Sequence, residues 1–172
     1  MKKTIYVVCP FPEGVAAGQR LKYEQYFEHW RDNGYEVIIS NFMDEAMWSI
    51  VYKEGNLLGK VLGTFRGHCK RLKDLMFLNQ ADLVYIFMWV TPFGTKFFEW
   101  LFLKLSKKVI YDIEDNVLIQ GGSSVNPFTR LLKSASKIEY LIKNSDHVIT
   151  SSPALNDDCL KLNKFRACTF IS

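Results

Sequence analysis

Three carboxylates lie close together where an apolar run of the sequence ends, at Asp112, Glu114 and Asp115. Residues two apart point to the same side of a β-strand, so Asp112 and Glu114 are expected to share one side. Buried acids are costly unless they are paired or hydrogen-bonded, and such clusters therefore tend to lie at a cleft. We take these three acids as candidate catalytic residues. Capping of the following segment is the alternative.

A glycine-containing loop follows the first apolar run of the chain. The segment CPFPEGVAAGQR places Gly14 and Gly18 where backbone amides could approach an anion or a sugar hydroxyl, just before a predicted helix. Arg20 could direct a positive group toward a phosphate. Phe11 and Trp89, each just after a predicted strand, could stack on a sugar ring. We therefore predict that these five residues bind substrate, with a structural turn and core aromatics as the alternatives.

Positive charge is concentrated in one predicted helix, although the net charge of the chain is only +4. The helix contains Lys60, Arg66, Lys70, Arg71 and Lys73, with His68 among them. A solvated helix face is one explanation. The functional explanation is attraction to anionic lipid head groups or to a phosphate-bearing substrate, with Lys60, Arg66, Lys70 and Arg71 as the contacts. Nucleic-acid binders concentrate charge more strongly, so no nucleic-acid partner is expected.

The elements that must position these residues alternate along the chain. Apolar, β-branched runs predict strands at 4–9, 35–40, 82–88, 109–113, 147–150 and 167–171. Helical periodicity predicts helices over 19–34, within 42–56, and over 58–76, 93–106, 127–144 and 153–162. This alternation predicts an α/β fold: a Rossmann-like, doubly wound, mainly parallel sheet of about six strands with helices on both faces. Residues 1–172 are expected to form a single domain.

Three glycines four residues apart, Gly59, Gly63 and Gly67, lie within the basic helix. Glycine is unfavourable inside a helix, so this spacing predicts a close packing contact.

The composition narrows the class of protein further. The four cysteines include no CxxC pair, which favours free thiols in a reducing compartment. The longest apolar runs, 83–90 and 97–103, are much shorter than a membrane span, and the N-terminus does not resemble a signal peptide. A cytoplasmic protein is expected, whose basic helix could contact the inner face of the membrane.

A family resemblance joins several of these segments. GVAAGQR, followed by Tyr23, Trp30 and the run GYEV, resembles the opening of bacterial family-four (group one) glycosyltransferases, which have the two-domain GT-B fold. DLVYIFM, YDIEDN, SDHVITSS and TFIS then follow in the order of that family's N-terminal domain. The resemblance covers nearly the whole chain, and the order and spacing of its pieces carry it.

The resemblance implies an acceptor-binding domain of an enzyme that moves a sugar from a nucleotide-sugar to a glycan or lipid-linked acceptor in cell-surface polysaccharide synthesis. A C-terminal nucleotide-sugar-binding domain would be the partner, and a chain ending at Ser172 would be inactive without it. Gly14 and Gly18 would lie near the acceptor and the donor phosphate, and the acids at 112–115 would orient acceptor hydroxyls. Many relatives have a histidine near that strand end, where this chain has acids. No metal and no cofactor are implied.

Other classes of α/β protein remain as alternatives. A receiver-type signalling domain needs paired acids just after the first strand, where this chain has Pro10, Phe11 and Pro12. A nicotinamide-binding domain needs a glycine fingerprint, and it needs an acid where Ser40 and Asn41 end the second strand. A non-catalytic Rossmann-like binding or interaction module at the membrane surface is the remaining alternative.

Overall fold

The computed structural model describes residues 2–114 and 135–171. Its strands form one parallel sheet of six, in the order β2-β1-β3-β4-β5-β6. The predicted Rossmann-like, doubly wound α/β fold is confirmed. The strand order reverses between β1 and β3, which is the switch point where ligands of such sheets commonly bind. The strands are β1 Lys3–Cys9, β2 Tyr35–Asn41, β3 Leu83–Phe87, β4 Val109–Ile113, β5 His147–Thr150 and β6 Cys168–Phe170.

Helices cover both faces of the sheet. They are α1 Ala17–Lys22, α2 Phe27–Asp32, α3 Glu45–Val51, α4 Leu57–Asp74, α5 Phe97–Leu105, α6 Ala135–Asn144 and α7 Pro153–Leu162.

Neighbouring residues of β1 belong to different buried clusters. Val7 packs with Tyr23 and Phe27, beside α1 and α2. Val8 packs with Phe102 of α5, in a cluster that also includes residues of α6 and α7. Right-handed crossovers account for this division, because they place helices on opposite faces when the chain moves in opposite directions along the sheet. We call these the first face, with α1 and α2, and the second face, with α4 to α7.

Two helices differ in course from their predictions, and residues 127–134 of the helix predicted over 127–144 lie outside the residues that the structure describes. The helix predicted over 19–34 is broken by a 3₁₀ turn at Glu24–Tyr26, and Tyr23, just before that turn, packs on Phe87 at 5.1 Å between ring centroids. The burial of Tyr23 against the sheet therefore accounts for the break in this helix, which the continuous apolar periodicity of the sequence does not indicate. The helix predicted from Phe93 begins instead at Phe97, because Gly94, at φ +89°, interrupts the chain between Pro92 and the helix.

The glycines of α4 confirm the predicted close packing contact. A Cβ atom at Gly63 would lie 2.8 Å from Met47 of α3, and one at Gly67 would lie 2.6 Å from the Phe42 ring. Real Cβ contacts are longer than this, so only glycine allows α4 to approach α3 and the end of β2 so closely. The glycine side of α4 is therefore the side that faces inward.

Within residues 2–114 and 135–171, no helix combines the length and the apolarity that crossing a bilayer requires.

Candidate functional site

Asp112 lies at the end of β4 on the first face and is 2% exposed. Its carboxylate accepts hydrogen bonds from the Lys22 ammonium and from the Tyr85 hydroxyl. Burial raises the pKa of the Asp112 carboxyl, and the neighbouring Lys22 acts in the opposite direction. The Asp112 carboxylate therefore forms an ion pair within the protein, with Lys22, and this pair joins β4 to α1.

Glu114 extends from the same side of the chain toward α1. A Cβ atom at Gly18 would lie 3.0 Å from both oxygens of this carboxylate. Gly18 and Lys22 are one helical turn apart, so the two acids contact successive turns of α1. The predicted common side of Asp112 and Glu114 is thus observed. Asp115 and the glycine-serine loop at 121–124 lie outside the residues that the structure describes, and a catalytic role for the three acids stays a prediction.

The loop after β1 is held by buried polar contacts. The Gln19 side chain accepts from the Phe11 amide at 3.1 Å and donates to Glu24 Oε1 at 3.0 Å. The Gly14 amide donates to Glu24 Oε2 at 3.0 Å. Gly14 has φ +78°, the left-handed region that favours glycine. Since the Gly14 amide already has an acceptor, an anion would have to displace Glu24 to bind it. Arg20 is exposed beside this loop.

The two aromatic residues predicted to bind a sugar contact other rings. Phe11 lies 4.9 Å from Trp48, and Trp89 lies 5.5 Å edge-on to Phe42. Both pack against a small buried cluster formed by Phe42 and its neighbours. These contacts agree with the core-aromatic alternative, and stacking on a ligand stays a prediction.

Met88, which sequence reasoning did not single out, lies at the switch-point edge with φ +62°. A side chain other than glycine is strained in this region of backbone conformation. The Met88 amide donates to the Asp112 carbonyl, and its carbonyl accepts from the Tyr111 hydroxyl at 2.8 Å. No local sequence signal marks this conformation, because strand-to-strand contacts impose it.

Arg71 corrects the prediction of a surface contact. Its side chain is 0% exposed. The guanidinium donates to the carbonyls of Cys9, Ser40 and Val90 at 2.9, 3.0 and 2.7 Å, and it pairs with Asp74 at 2.9 Å. Because these bonds join the ends of β1 and β2 to the segment after β3, Arg71 cannot reach a lipid or a phosphate outside the fold.

The other predicted basic contacts differ in exposure. Lys70 is half-buried and donates to the Asn41 side chain at 2.7 Å, and burial lowers the pKa of its ammonium. Lys60 donates to the Lys53 carbonyl at 2.5 Å. Arg66 is exposed and lies 3.8 Å from Asp44, an exposed pair of the kind that adds little stability. Lys73 is exposed as well.

The apolar side of α4 faces outward. Residues three and four apart share one side of a helix, and Leu58, Leu62, Phe65 and Leu72 follow this spacing opposite the buried glycines. Leu58 is 72% exposed and Phe65 is 67% exposed. A surface helix of a globular protein normally buries its apolar side, so α4 is inverted. Its exposed apolar side chains are Leu57, Leu58, Val61, Leu62, Phe65 and Leu72, with Met76 and Phe77 just beyond its end.

Helix α5 continues this surface on the second face. Phe97 and Trp100 are exposed on α5, and their rings lie 6.1 Å apart. Phe98 of α5 lies 5.8 Å from the His68 ring of α4, which brings the two helices together. The Lys104 ammonium lies 5.3 Å from the centre of the Trp100 ring. We call the exposed apolar and basic residues of α4 and α5 the α4–α5 surface.

The charges that α4 and α5 expose are all positive. Their two acids, Asp74 and Glu99, are buried, and they pair with Arg71 and with Lys137 of α6. The exposed charged side chains on the two helices are Arg66, Lys73 and Lys104. Just outside them, Lys96, Lys107 and Lys108 flank α5 and Glu54 precedes α4, all exposed. Arg66 lies near the exposed Asp44, and Lys107 lies near the exposed Asp82.

Comparison with known proteins gives no assignment. No family model matches the chain, and no curated protein matches it. Among solved structures, it is similar to a protein of Klebsiella pneumoniae described as a quinone reductase, with 11% identity and a TM-score of 0.40 over 93% of this chain and 82% of that one. Similarity at this level transfers no function to this chain.

These findings overturn the resemblance to family-four glycosyltransferases. No family model and no curated sequence matches the chain, a glycosyltransferase included, and the solved structure named above is described as a quinone reductase. The identification as a GT-B acceptor domain was wrong, and so were the sugar-transfer function and the role in polysaccharide synthesis that depended on it.

Proposed function

We propose that this chain binds the surface of anionic membranes as a peripheral protein, through the α4–α5 surface. One observation carries the proposal: the folded domain buries the glycine and polar side of α4 and exposes its apolar side. Large exposed apolar patches mark sites of association with a membrane or another protein. The fold therefore presents an apolar surface that requires a partner.

The shape of the surface fits the interface of a bilayer. Helix α4 has 18 residues and is about 27 Å long. A helix of this length can lie in the membrane plane with its apolar side among the upper acyl chains. Trp100 on the neighbouring α5 is of the residue type that prefers the head-group level. Both helices could then contact the same leaflet.

The charges favour an anionic lipid surface over a protein partner. Basic residues border the apolar side chains of α4 and α5, and the acids of these helices are buried. Lys73 and Lys104 could reach lipid phosphates while their neighbours enter the acyl region. Each basic side chain close to an anionic leaflet contributes about 1 kcal/mol of attraction. A neutral protein groove would leave this charge without a counterpart.

Sedimentation with vesicles tests the proposal. We expect the protein to bind vesicles that contain phosphatidylglycerol and to bind pure phosphatidylcholine much more weakly. Added salt should weaken the binding to anionic vesicles, because it screens exposed charges.

Two matched pairs of variants locate the surface. Leu58→Gln and Phe65→Gln should each reduce binding several-fold. Leu21→Gln and Phe165→Gln should not, although Leu21 is 72% exposed, like Leu58, and Phe165 is 59% exposed. Failure to bind anionic vesicles would contradict the proposal. So would equal losses in all four variants, or a stable dimer through α4 that ignores vesicles.

A further inference from the structure

The exposed charges of α4 lie in the second half of the helix. Arg66 and Lys73 are its exposed basic residues, and both belong to that half. The first half, 57–65, has Lys60 as its single charged residue, which is half-buried and donates to the Lys53 carbonyl. The first half exposes Leu57, Leu58, Val61, Leu62 and Phe65. Attachment of this half to a membrane therefore depends on apolar contacts.

The turn from α3 into α4 extends this apolar surface. Tyr52, which caps the end of α3, is 74% exposed, and Leu57, which begins α4, is 75% exposed. Lys53 and Glu54 between them are exposed and of opposite charge. The charges of the turn cancel, so an anionic leaflet attracts this region less than it attracts the second half of α4. We call Tyr52 and the exposed apolar side chains of 57–65 the apolar end of α4.

Helix α3 holds the apolar end of α4 in a fixed shape. The two helices approach closely at Gly59, where a Cβ atom would lie 2.9 Å from the Ile50 side chain. The Tyr52 ring packs edge-on against Trp48, at 5.4 Å between ring centroids. These exposed side chains are therefore in place before any membrane is met. Because they project from a rigid pair of helices, they need gaps between lipid head groups to reach the acyl chains.

We infer that the apolar end of α4 directs the protein to curved, loosely packed regions of anionic membranes. This inference rests on the proposed function. Binding by helices that lie in the membrane interface increases with the apolar area buried and depends on curvature. Outward curvature separates the head groups and opens sites for side chains such as Leu58 and Phe65, whereas a flat leaflet covers its acyl chains. Arg66 and Lys73 respond to the surface charge, which lipid composition sets.

Flotation with vesicles of two sizes tests the inference. Vesicles about 30 nm and about 200 nm across, made of the same mixture of phosphatidylcholine and phosphatidylglycerol, are compared at equal outer-leaflet lipid. The intact protein should bind the small vesicles about tenfold more tightly. This preference corresponds to about 1.4 kcal/mol, the order of burying one further large apolar side chain.

Variants at neighbouring positions separate insertion from charge. Phe65→Lys removes an inserting ring and adds a positive charge, so it should still bind both vesicle sizes and lose most of the size preference. Arg66→Gln and Lys73→Gln should each lower binding to both sizes by the same factor, about fivefold, and keep the preference. Phe165→Lys makes the same exchange at an exposed ring elsewhere and should also keep it. If Phe65→Lys fails to fold by circular dichroism, Tyr52→Lys takes its place.

The possible failures are distinguishable. Absence of binding to either vesicle size would overturn the proposed function. Equal binding of the intact protein to the two sizes would overturn the inference and leave the α4–α5 surface in place. So would a size preference that Phe65→Lys retains, or one that Arg66→Gln or Phe165→Lys abolishes.

Discussion

At the scale of single residues, the Arg71 guanidinium joins three backbone segments that are distant in the sequence. It donates to carbonyls at the ends of β1 and β2 and after β3, and it neutralises Asp74, which also accepts from the hydroxyls of Tyr6 and Ser40. Removing one partner of a buried ion pair leaves an uncompensated charge, which is more costly than never having the pair. Arg71 therefore stabilises the inward side of α4.

Arg71→Met should lower the free energy of unfolding by about 3 to 5 kcal/mol. Urea denaturation followed by circular dichroism would measure the loss. Lys73→Met, on the exposed side of the same helix, is the matched control and should change stability by less than about 0.5 kcal/mol. A small effect of Arg71→Met would mean that the buried network contributes little.

At the scale of the element, the inverted orientation of α4 depends on its glycines. Gly67 lies against the Phe42 ring, where a methyl group would overlap. Alanine normally stabilises a helix by up to about 1 kcal/mol relative to glycine. Here the overlap should reverse the sign of that effect.

Gly67→Ala should destabilise the domain by about 1 to 3 kcal/mol, because overpacking displaces the ring or the helix. Thermal unfolding would measure the change. Thr64→Ala, one turn earlier and only partly buried, gives a comparison in which helix propensity changes without overlap. If Gly67→Ala were as stable as the parent, α4 would not be held at this distance by its glycines.

The periodicity of α4 predicted its existence and extent but not its orientation. Apolar spacing is normally the sign of the buried side, so the sequence predicts that the basic residues of α4 are exposed as a group. The signal that identifies the true inward side is the spacing of Gly59, Gly63, Gly67 and Arg71 at four-residue intervals. Arg71 can be buried because backbone carbonyls of other segments accept its hydrogen bonds. The sequence around Arg71 gives no sign of these distant acceptors.

At the scale of the whole molecule, the sheet was predictable because each strand is an apolar run between polar ends. The same generality explains the mistaken resemblance. Apolar runs such as DLVYIFM and polar strand ends such as SDHVITSS are what a doubly wound sheet requires in any family. Their order indicated the fold correctly, and they carried no information about chemistry. The common side of Asp112 and Glu114 followed from strand alternation, whereas their pairing with α1 depends on tertiary contacts.

Fluorescence of two tryptophans, Trp100 and Trp30, can show which face of the domain contacts a membrane. Trp100 is exposed on α5, whereas Trp30 packs on Phe27 on the opposite side of the sheet, at 5.6 Å between ring centroids. Lipids brominated near the head group should quench Trp100 of bound protein. Trp100→Phe should remove most of this quenching, and Trp30→Phe should retain it. The reverse result would place the first face on the bilayer.

The direction of α4 has a consequence for access to the rest of the molecule. Because α4 returns the chain between the parallel strands β2 and β3, it runs antiparallel to them, with its axis roughly along theirs. A domain resting on α4 would hold its strands flat along the membrane, with the carboxyl edge of the sheet opening sideways. An amphiphile held on the leaflet would then approach that edge from the side by diffusion in two dimensions, whereas a dissolved compound would have to arrive from the bulk.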